Sequence, residues 1–569
     1  MIDFKEEIAK ILSDKIESMT KEDILMQIEI PPSYEMGDYA FPVFSLAKIF
    51  RKNPNMIAEE MAASIKSEYF EKVENKGAYI NFFTNKEVLA KTVVEEISKE
   101  KENYGKSKLG EGKTVIVEYS SPNIAKPFHI GHIRSTIIGD SLKRIHKFLG
   151  YNVVSINHLG DYGTQFGMLI YAIKNWGNIE EIEKNPIPEL LKLYVRVNTE
   201  ADQNEEIKEE CRHYFASLEK GDEDAVKIWT WIREISLKEF NIVYDLLGIK
   251  FDSYNGESFY SDKMMKQVER MEKLGILKDS EGAKIVDLEK YNLPPALILK
   301  SDGSTIYITR DIAAAEYRHE TYHPEKNIYV VATEQNLHFK QLKAVLKEMQ
   351  YDWYDEVTHV AFGMINLADG KLSTRQGRVV YLIDVLNKAI EKIMEILNER
   401  EETSGVKIAN KEELAKQVGI GAIKFQELFN QRIKDYTFDW DKTLSFEGES
   451  GPYVQYAHAR ICSLLEKGGF DINKEVDSSL LNNEMEINIL RNLYKFTEVV
   501  EDAKEKYEPF FISRYVVELA KDFNKYYNQV TINVEDEKLK NTRLMLCYSV
   551  KNVISEGLRL LGIEAPEKM

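Results

Sequence analysis

The sequence predicts an α/β protein of several domains built on a parallel sheet of Rossmann type, and three observations carry that prediction. A strand, a helix and a strand follow one another within residues 114–157, the spacing of a βαβ unit whose crossover is right-handed and whose strands are therefore parallel. A second strand–helix–strand run occupies residues 328–365, so the two stretches are expected to share one sheet. From about residue 408 to the end the period is helical, which predicts a separate bundle. A single hydrophobic core stops growing near roughly 250 to 300 residues, so a chain of 569 needs such a division.

Taken in order, residues 1–110 mix an amphipathic helix (4–19) with the strand-like GAYINFF (77–83), an α+β unit closed by the charged, Gly-punctuated KENYGKSKLGEGK (101–113). Strand 114–119, the turn-rich SSPN, helix 130–149 ended by Gly150, and strand 152–157 follow. Residues from about 175 to 247 are highly charged and helical in period, with Trp229, Trp231 and Leu237 as apolar anchors, and read as an insertion. Strand 328–333, helix 337–349 and strand 358–365 restore the alternation. Helices are then expected at 451–465, 485–506, 513–527 and 542–561, and no repeat or low-complexity tract interrupts the chain.

Composition narrows the class. With 43% hydrophobic and 30% charged residues the chain has material for cores and reads as soluble and folded rather than disordered. The formal charge of -18 repels polyanions and, by itself, argues against nucleic acid. Cys211, Cys462 and Cys547 form no CxxC pair, so neither a disulfide framework nor a cysteine zinc site is suggested. The N-terminal stretch lacks a signal peptide's apolar run, and no segment is long enough to span a bilayer, so a cytoplasmic protein without membrane contact is expected.

SKLGEGKT (107–114) resembles a phosphate-binding loop but lacks its leading glycine and runs into a strand, not a helix. More informative is EYSSPNIAKPFHIGHIRSTIIGD (118–140). It places His129 and His132 around Gly131 at the start of the helix after the first strand, where free backbone N–H groups already favour phosphate. Alone the tetrapeptide also reads as a cap or as metal ligands; its place at the carboxyl end of a parallel strand favours a nucleotide. The loop GKLSTRQGR (370–378) carries Lys371, Ser373, Arg375 and no acid, a composition suited to a polyphosphate, though alone it is an ordinary basic loop.

HIGH (129–132) and KLSTR (371–375) resemble the two signatures of class I aminoacyl-tRNA synthetases, the second being a variant of KMSKS with Thr374 in place of its second lysine. The flanking blocks NHLGDYGTQFG (157–167), YITRDIAAAEYR (307–318), TEQNLHF (333–339), GPYVQYAHARICSLL (451–465) and the terminal LLGIEAPEKM are similar to the arginyl-tRNA synthetase family. The resemblance implies an N-terminal tRNA D-loop domain over 1–110 and a Rossmann-type catalytic domain over 111–370. It also implies a signature-loop and stem-contact region over 371–445 and an anticodon-binding bundle over 446–569. It further implies ATP and Mg²⁺, L-arginine and tRNA(Arg) as partners, and a monomer. Arginine would be activated to arginyl-adenylate and passed to the terminal adenosine.

By the same resemblance His129, Gly131 and His132 bind ATP, while Lys126, Lys371, Ser373 and Arg375 steady its phosphates; with the KMSKS departure, the division of labour between Lys126 and Lys371 stays open. Glu118, Ser121, Asn123, His132, Tyr307, Asp311 and Gln335 match arginine contacts. A guanidinium carries only donors, so acids suit it. Losing two or three charge-assisted hydrogen bonds, at roughly 3 to 9 kcal/mol in all, rejects lysine at least about a hundredfold. Tyr79, Asn81, Tyr453, Tyr456, Tyr526 and Met569 match tRNA contacts, whereas an ordinary reading makes the tyrosine pair core and residues 79 and 81 strand positions. A nucleotidylyltransferase with an HxGH helix start, or a synthetase-like RNA-binding protein without catalysis, are the alternatives. The first would not need the C-terminal helices, and the second would lose motif residues.

Overall fold

The computed structural model describes residues 1–367, 370–371 and 380–569. In the N-terminal region β1 (Tyr39–Pro42), β2 (Phe70–Lys76) and β3 (Tyr79–Thr84) form an antiparallel sheet in the order β1-β3-β2. Beneath it lies the Phe4–Ser13 helix, whose first turn is capped by the Asp3 carboxylate and whose Phe4, Ile8 and Leu12 face the core. This region docks on the C-terminal bundle. Asp38 pairs with Arg491 at 2.7 Å, the Tyr494 hydroxyl donates to the Ile2 carbonyl at 3.0 Å, and the Tyr104 hydroxyl donates to the Leu493 carbonyl at 2.9 Å.

The two β/α runs do share one sheet. β4 (Thr114–Glu118) and β5 (Asn152–Ile156) are parallel and joined through the Ile133–Phe148 helix. Between them and the second run lie the expected helical insertion, which ends in the long Glu223–Leu246 helix, and a small antiparallel sheet absent from the sequence reading. It consists of β6 (Leu277–Ser280), β7 (Ala283–Val286) and β8 (Ala296–Leu299). Four-residue strands carry too few alternations to register as a period. β9 (Lys326–Ala332) and β10 (Val357–Phe362) then complete the order β10-β9-β4-β5, all parallel. The chain thus reverses direction across the sheet between β4 and β9, and their carboxyl ends open the crevice where such sheets bind ligands.

After β10 a third small sheet forms from β11 (Ile365–Leu367), β12 (Gly370–Lys371) and, beyond the Lys411–Leu428 helix, β13 (Tyr436–Phe438) in the order β12-β11-β13. The bundle of Gly451–Gly468, Glu484–Tyr494, Phe496–Glu505, Phe510–Gln529 and Glu537–Leu560 closes the chain. The helix expected over 485–506 is therefore two, divided at Lys495.

Candidate active site

β4 ends at Glu118, and the backbone turns at once. Ser120, Ser121 and Ala125 have φ of 70°, 48° and 59°, left-handed values that cost non-glycine residues energy. Neighbours hold them there: Ser120 N–H donates to Ser135 Oγ at 2.9 Å, Ser121 N–H to Asn157 Oδ1 at 3.2 Å, and Ala125 N–H to Ser236 Oγ at 3.0 Å. Ser236 belongs to the insertion's last helix, as does Tyr244, whose hydroxyl lies 2.8 Å from Ser120 Oγ. The insertion is thus a wall of the crevice.

The strained turn delivers the chain to the first signature. His129 caps the helix start: its Nδ1 accepts the Gly131 N–H at 3.1 Å, and the His129 and His132 rings stand 4.0 Å apart. With Nδ1 an acceptor, the neutral His129 ring carries its proton on Nε2, a donor for a phosphoryl oxygen. Burial holds His129 below its ordinary pKa, and burial together with the His129 charge pushes His132 down to about 3, so both are neutral near pH 7. A Cβ on Gly131 would lie 2.8 Å from His129 Cε1; the glycine is therefore needed first for the ring-over-backbone packing. Lys126 is half-buried and forms no ion pair among the described residues. Asn123 is exposed, with its backbone paired to Gly160, and Ser121 is half-buried beside it.

Of the second signature, Lys371 lies in β12, while Ser373, Thr374 and Arg375 fall outside the described residues. The chain that follows is bound to the first signature backbone to backbone. Ile130 N–H donates to the Val380 carbonyl at 3.1 Å and Leu382 N–H to the Phe128 carbonyl at 3.0 Å.

The acids matched to a guanidinium stand on either side of the β4/β9 crevice, and neither is solitary. Glu118, 6% exposed, pairs at 2.6 Å with Arg318, itself 0% exposed and within 3.3 Å of His158 Nδ1. Asp311 Oδ2 lies 2.6 Å from His338 Nε2. Burial alone would raise the Asp311 carboxyl, but the His338 hydrogen bond and the charges of His338, His158 and Arg318 outweigh it and hold it below its ordinary value. Burial likewise opposes the His338 charge, and Asp311 prevails to raise it. Asp311 pairs with neither Arg310 nor Arg318; Arg310 binds Glu257 instead. Tyr307 is 69% exposed at the helix start, and Gln335 is exposed after β9.

The sequence reading offers Arg318 only as an ordinary partner of Asp311, and both its pairing with Glu118 and the role of His338 escaped it. Arg318 follows Asp311 by seven residues, two helical turns, which returns it to the same face; that spacing was the available signal. Among the described residues no group of three or more His, Cys, Asp or Glu could hold a metal.

In the bundle Tyr453 accepts from Asn524 at 3.0 Å, and the Arg460 guanidinium lies over Tyr456 at 4.9 Å and over Tyr527 at 5.4 Å, an aromatic and cationic surface. Tyr526 is not on it. It is 0% exposed and donates its hydroxyl to Glu486 at 3.1 Å, because helical rotation turns Tyr526 inward and its neighbour Tyr527 outward. Asn81 is also buried, at 3%, as an interior position of β3, while Tyr79 is half-buried edge-on to Phe44. Met569 packs on the core, and the tail before it is held by His458 Nδ1, 3.0 Å from the Pro566 carbonyl.

Comparison with known proteins decides the family. Residues 92–440 match the class I tRNA synthetase (R) catalytic domain, residues 4–84 the arginyl tRNA synthetase N terminal domain and residues 454–569 the DALR anticodon binding domain. The chain belongs to the arginyl-tRNA synthetases. Among its relatives in that family, the arginine–tRNA ligases of Halothermothrix orenii and Clostridioides difficile are 56% and 54% identical, with 100% of each chain covered. Solved arginyl-tRNA synthetases share the architecture. That of Plasmodium falciparum superposes with a TM-score of 0.83 at 27% identity, covering 99% of each chain, and that of Thermus thermophilus with 0.82 at 25%, covering 100% of each. Like the rest of the family, the chain joins a parallel-sheet catalytic domain to an α/β N-terminal region and a helical C-terminal one.

Proposed function

We infer that the protein is an arginine–tRNA ligase, which activates L-arginine with ATP and transfers it to the 3′-terminal adenosine of tRNA(Arg) for translation. The observation that carries this reading is the pair of acids at the β4/β9 crevice, Glu118 and Asp311, beside a first signature stitched to the residues after the second.

The arginine carboxylate attacks the α-phosphorus of ATP, forming the acyl-phosphate bond of arginyl-adenylate as the bond to pyrophosphate breaks. The adenosine hydroxyl then displaces AMP from the carbonyl and loses its proton. Neither step asks the protein for a covalent bond, so its work is positioning and charge stabilisation. His129 offers its Nε2–H to a phosphoryl oxygen without adding a charge. Lys126, close before this signature in the chain, supplies positive charge to the phosphates together with Lys371 and Arg375 of the second, and Ser373 adds a hydroxyl. Mg²⁺ enters as the counter-ion that ATP carries.

Asp311 accepts from the substrate guanidinium, and Glu118, already ion-paired with Arg318, presents its remaining lone pairs. Ser121 and Asn123 hold the amino-acid backbone; Tyr307 and Gln335 line the approach. Tyr453, Tyr456 and Met569 in the bundle, with Tyr79 in the N-terminal region, are the proposed tRNA contacts. Among the described residues no helix is long and apolar enough to cross a membrane, and a cytoplasmic monomer is the assembly we propose. Amino-acid-dependent exchange of pyrophosphate into ATP, run over the twenty amino acids with and without tRNA(Arg), tests the reading. Exchange with arginine alone among the twenty, strongest with tRNA, is expected; exchange with a different amino acid overturns it.

A further inference from the structure

The second signature starts from a segment held along its whole length by one other. Residues 361–367, the end of β10 and all of β11, run beside residues 432–438. Gly363 N–H donates to the Arg432 carbonyl at 2.9 Å, Met364 N–H to Asp435 Oδ1 at 2.6 Å, and Tyr436 N–H to the Met364 carbonyl at 3.2 Å. β11 then pairs with β13 on one side and β12 on the other. The contact has no slack, since a Cβ on Gly363 would meet Asp435 Oδ1 at 2.5 Å and the Ile433 carbonyl at 2.9 Å.

Within that segment one side chain reaches two other parts of the molecule. Arg432 donates from one terminal nitrogen to the Ala361 carbonyl at the end of β10 and from Nε to the Tyr507 carbonyl at 2.9 Å. Its backbone N–H donates to Glu508 Oε1 at 3.1 Å, and Glu508 Oε2 is 3.9 Å from its Nε. Tyr507 and Glu508 form the corner that enters the Phe510–Gln529 helix of the bundle, and Tyr507 is held there at φ 50°. From the opposite side Arg134, fully buried two residues after the HIGH motif, donates to the Lys434 carbonyl at 2.9 Å and to Glu427 at 2.7 Å. The strap therefore touches the bundle, the sheet and the first signature's helix.

We propose that Arg432 is a positioning residue for the second signature, carrying the placement of the helical bundle to the strands from which that signature starts. A guanidinium fork binds two carbonyls from separate segments while facing a carboxylate and, being planar and rigid, fixes their relative placement more tightly than an ammonium would. The corner, Arg432 and Ala361 form a continuous set of bonds, the physical requirement for a shift at one end to bear on the other. tRNA held by the bundle would bear on β11 and β12 through this fork. The inference rests on the ligase reading above.

Arginine-dependent exchange at saturating tRNA(Arg) tests it in Arg432→Lys and Glu508→Gln. Arg491→Lys, which weakens a different bundle contact leading only to the N-terminal region, is the control. Arg432→Lys is expected to raise the KM for ATP about tenfold while the arginine KM and the Kd for tRNA stay within about twofold; Glu508→Gln shifts the same constant by about threefold. A general loosening would move all three, and the control would match it. Equal rises in both KM values, an Arg491→Lys that behaves the same way, or a folded Arg432→Lys with unchanged constants overturns the proposal. If Arg432→Lys fails to fold, an unchanged ATP KM in Glu508→Gln does so. An unmodified protein without arginine-dependent exchange would instead sink the ligase reading.

Discussion

Asp311 and His338 each favour the other's charged form, and a substrate guanidinium must enter that arrangement. Asp311 is held below its ordinary value, so its share of the pair's stabilisation is present above about pH 4 and is lost as pH falls through the lowered value. His338 is raised, so its share is full below about pH 6.5 and is lost as pH rises through the raised value. An arriving guanidinium brings a second positive charge to the same carboxylate and favours loss of the His338 proton. The KM for arginine is therefore expected to fall as pH rises through that value, and steady-state exchange between about pH 6 and 9 checks it. Asp311→Asn is expected to raise the arginine KM by at least about tenfold, leave the ATP KM near its starting value and flatten the pH trend. A surviving trend would place its origin elsewhere. Both acids were legible in the sequence as residue types suited to a guanidinium. Their partners were not, because Arg318 and His338 reach them through packing of a helix against a sheet.

The Ile133–Phe148 helix shows how an element carries the site. It positions both HIGH histidines at its start, and its middle presses on the strand end that holds Glu118. Gly139 is the contact: a Cβ there would lie 2.2 Å from Tyr119 Cβ and Cγ. Alanine is the better helix former by roughly 1 kcal/mol, but forcing a methyl into this contact costs on the order of 1 to 3 kcal/mol and displaces the residue after Glu118. Gly139→Ala is accordingly expected to lower the urea midpoint and reduce arginine activation together; a higher midpoint would show the contact to be compliant. Long periodic elements such as this helix and the parallel strands were readable from pattern alone. The four-residue strands of the β6–β8 sheet were not, and Tyr526 and Asn81 show the finer limit. One helical step or one strand alternation decides whether a side chain meets solvent or core.

Across the whole molecule, the charge of -18 and the expected polyanion stand in tension. Binding depends on local field rather than on the sum, and Arg460 with Tyr456 and Tyr527 offers one cationic, aromatic surface on the bundle. Binding built on a few phosphate contacts in an acidic protein should be steeply salt-dependent. With about six phosphates neutralised, tRNA affinity is expected to fall on the order of a thousandfold between about 50 and 200 mM salt, and filter binding across that range checks it. A flat response would mean that stacking dominates. The Asp38–Arg491 pair further joins the N-terminal region to the bundle, so the two proposed tRNA-reading ends are packed on one another. The sequence by itself determined the parallel sheet, the helical C-terminal region and the residue types of both signatures, because these are properties of local pattern. Only the tertiary structure decided which charges are paired, which tyrosines face outward and which segment carries the second signature, because each depends on groups far apart in the chain meeting in a packed interior.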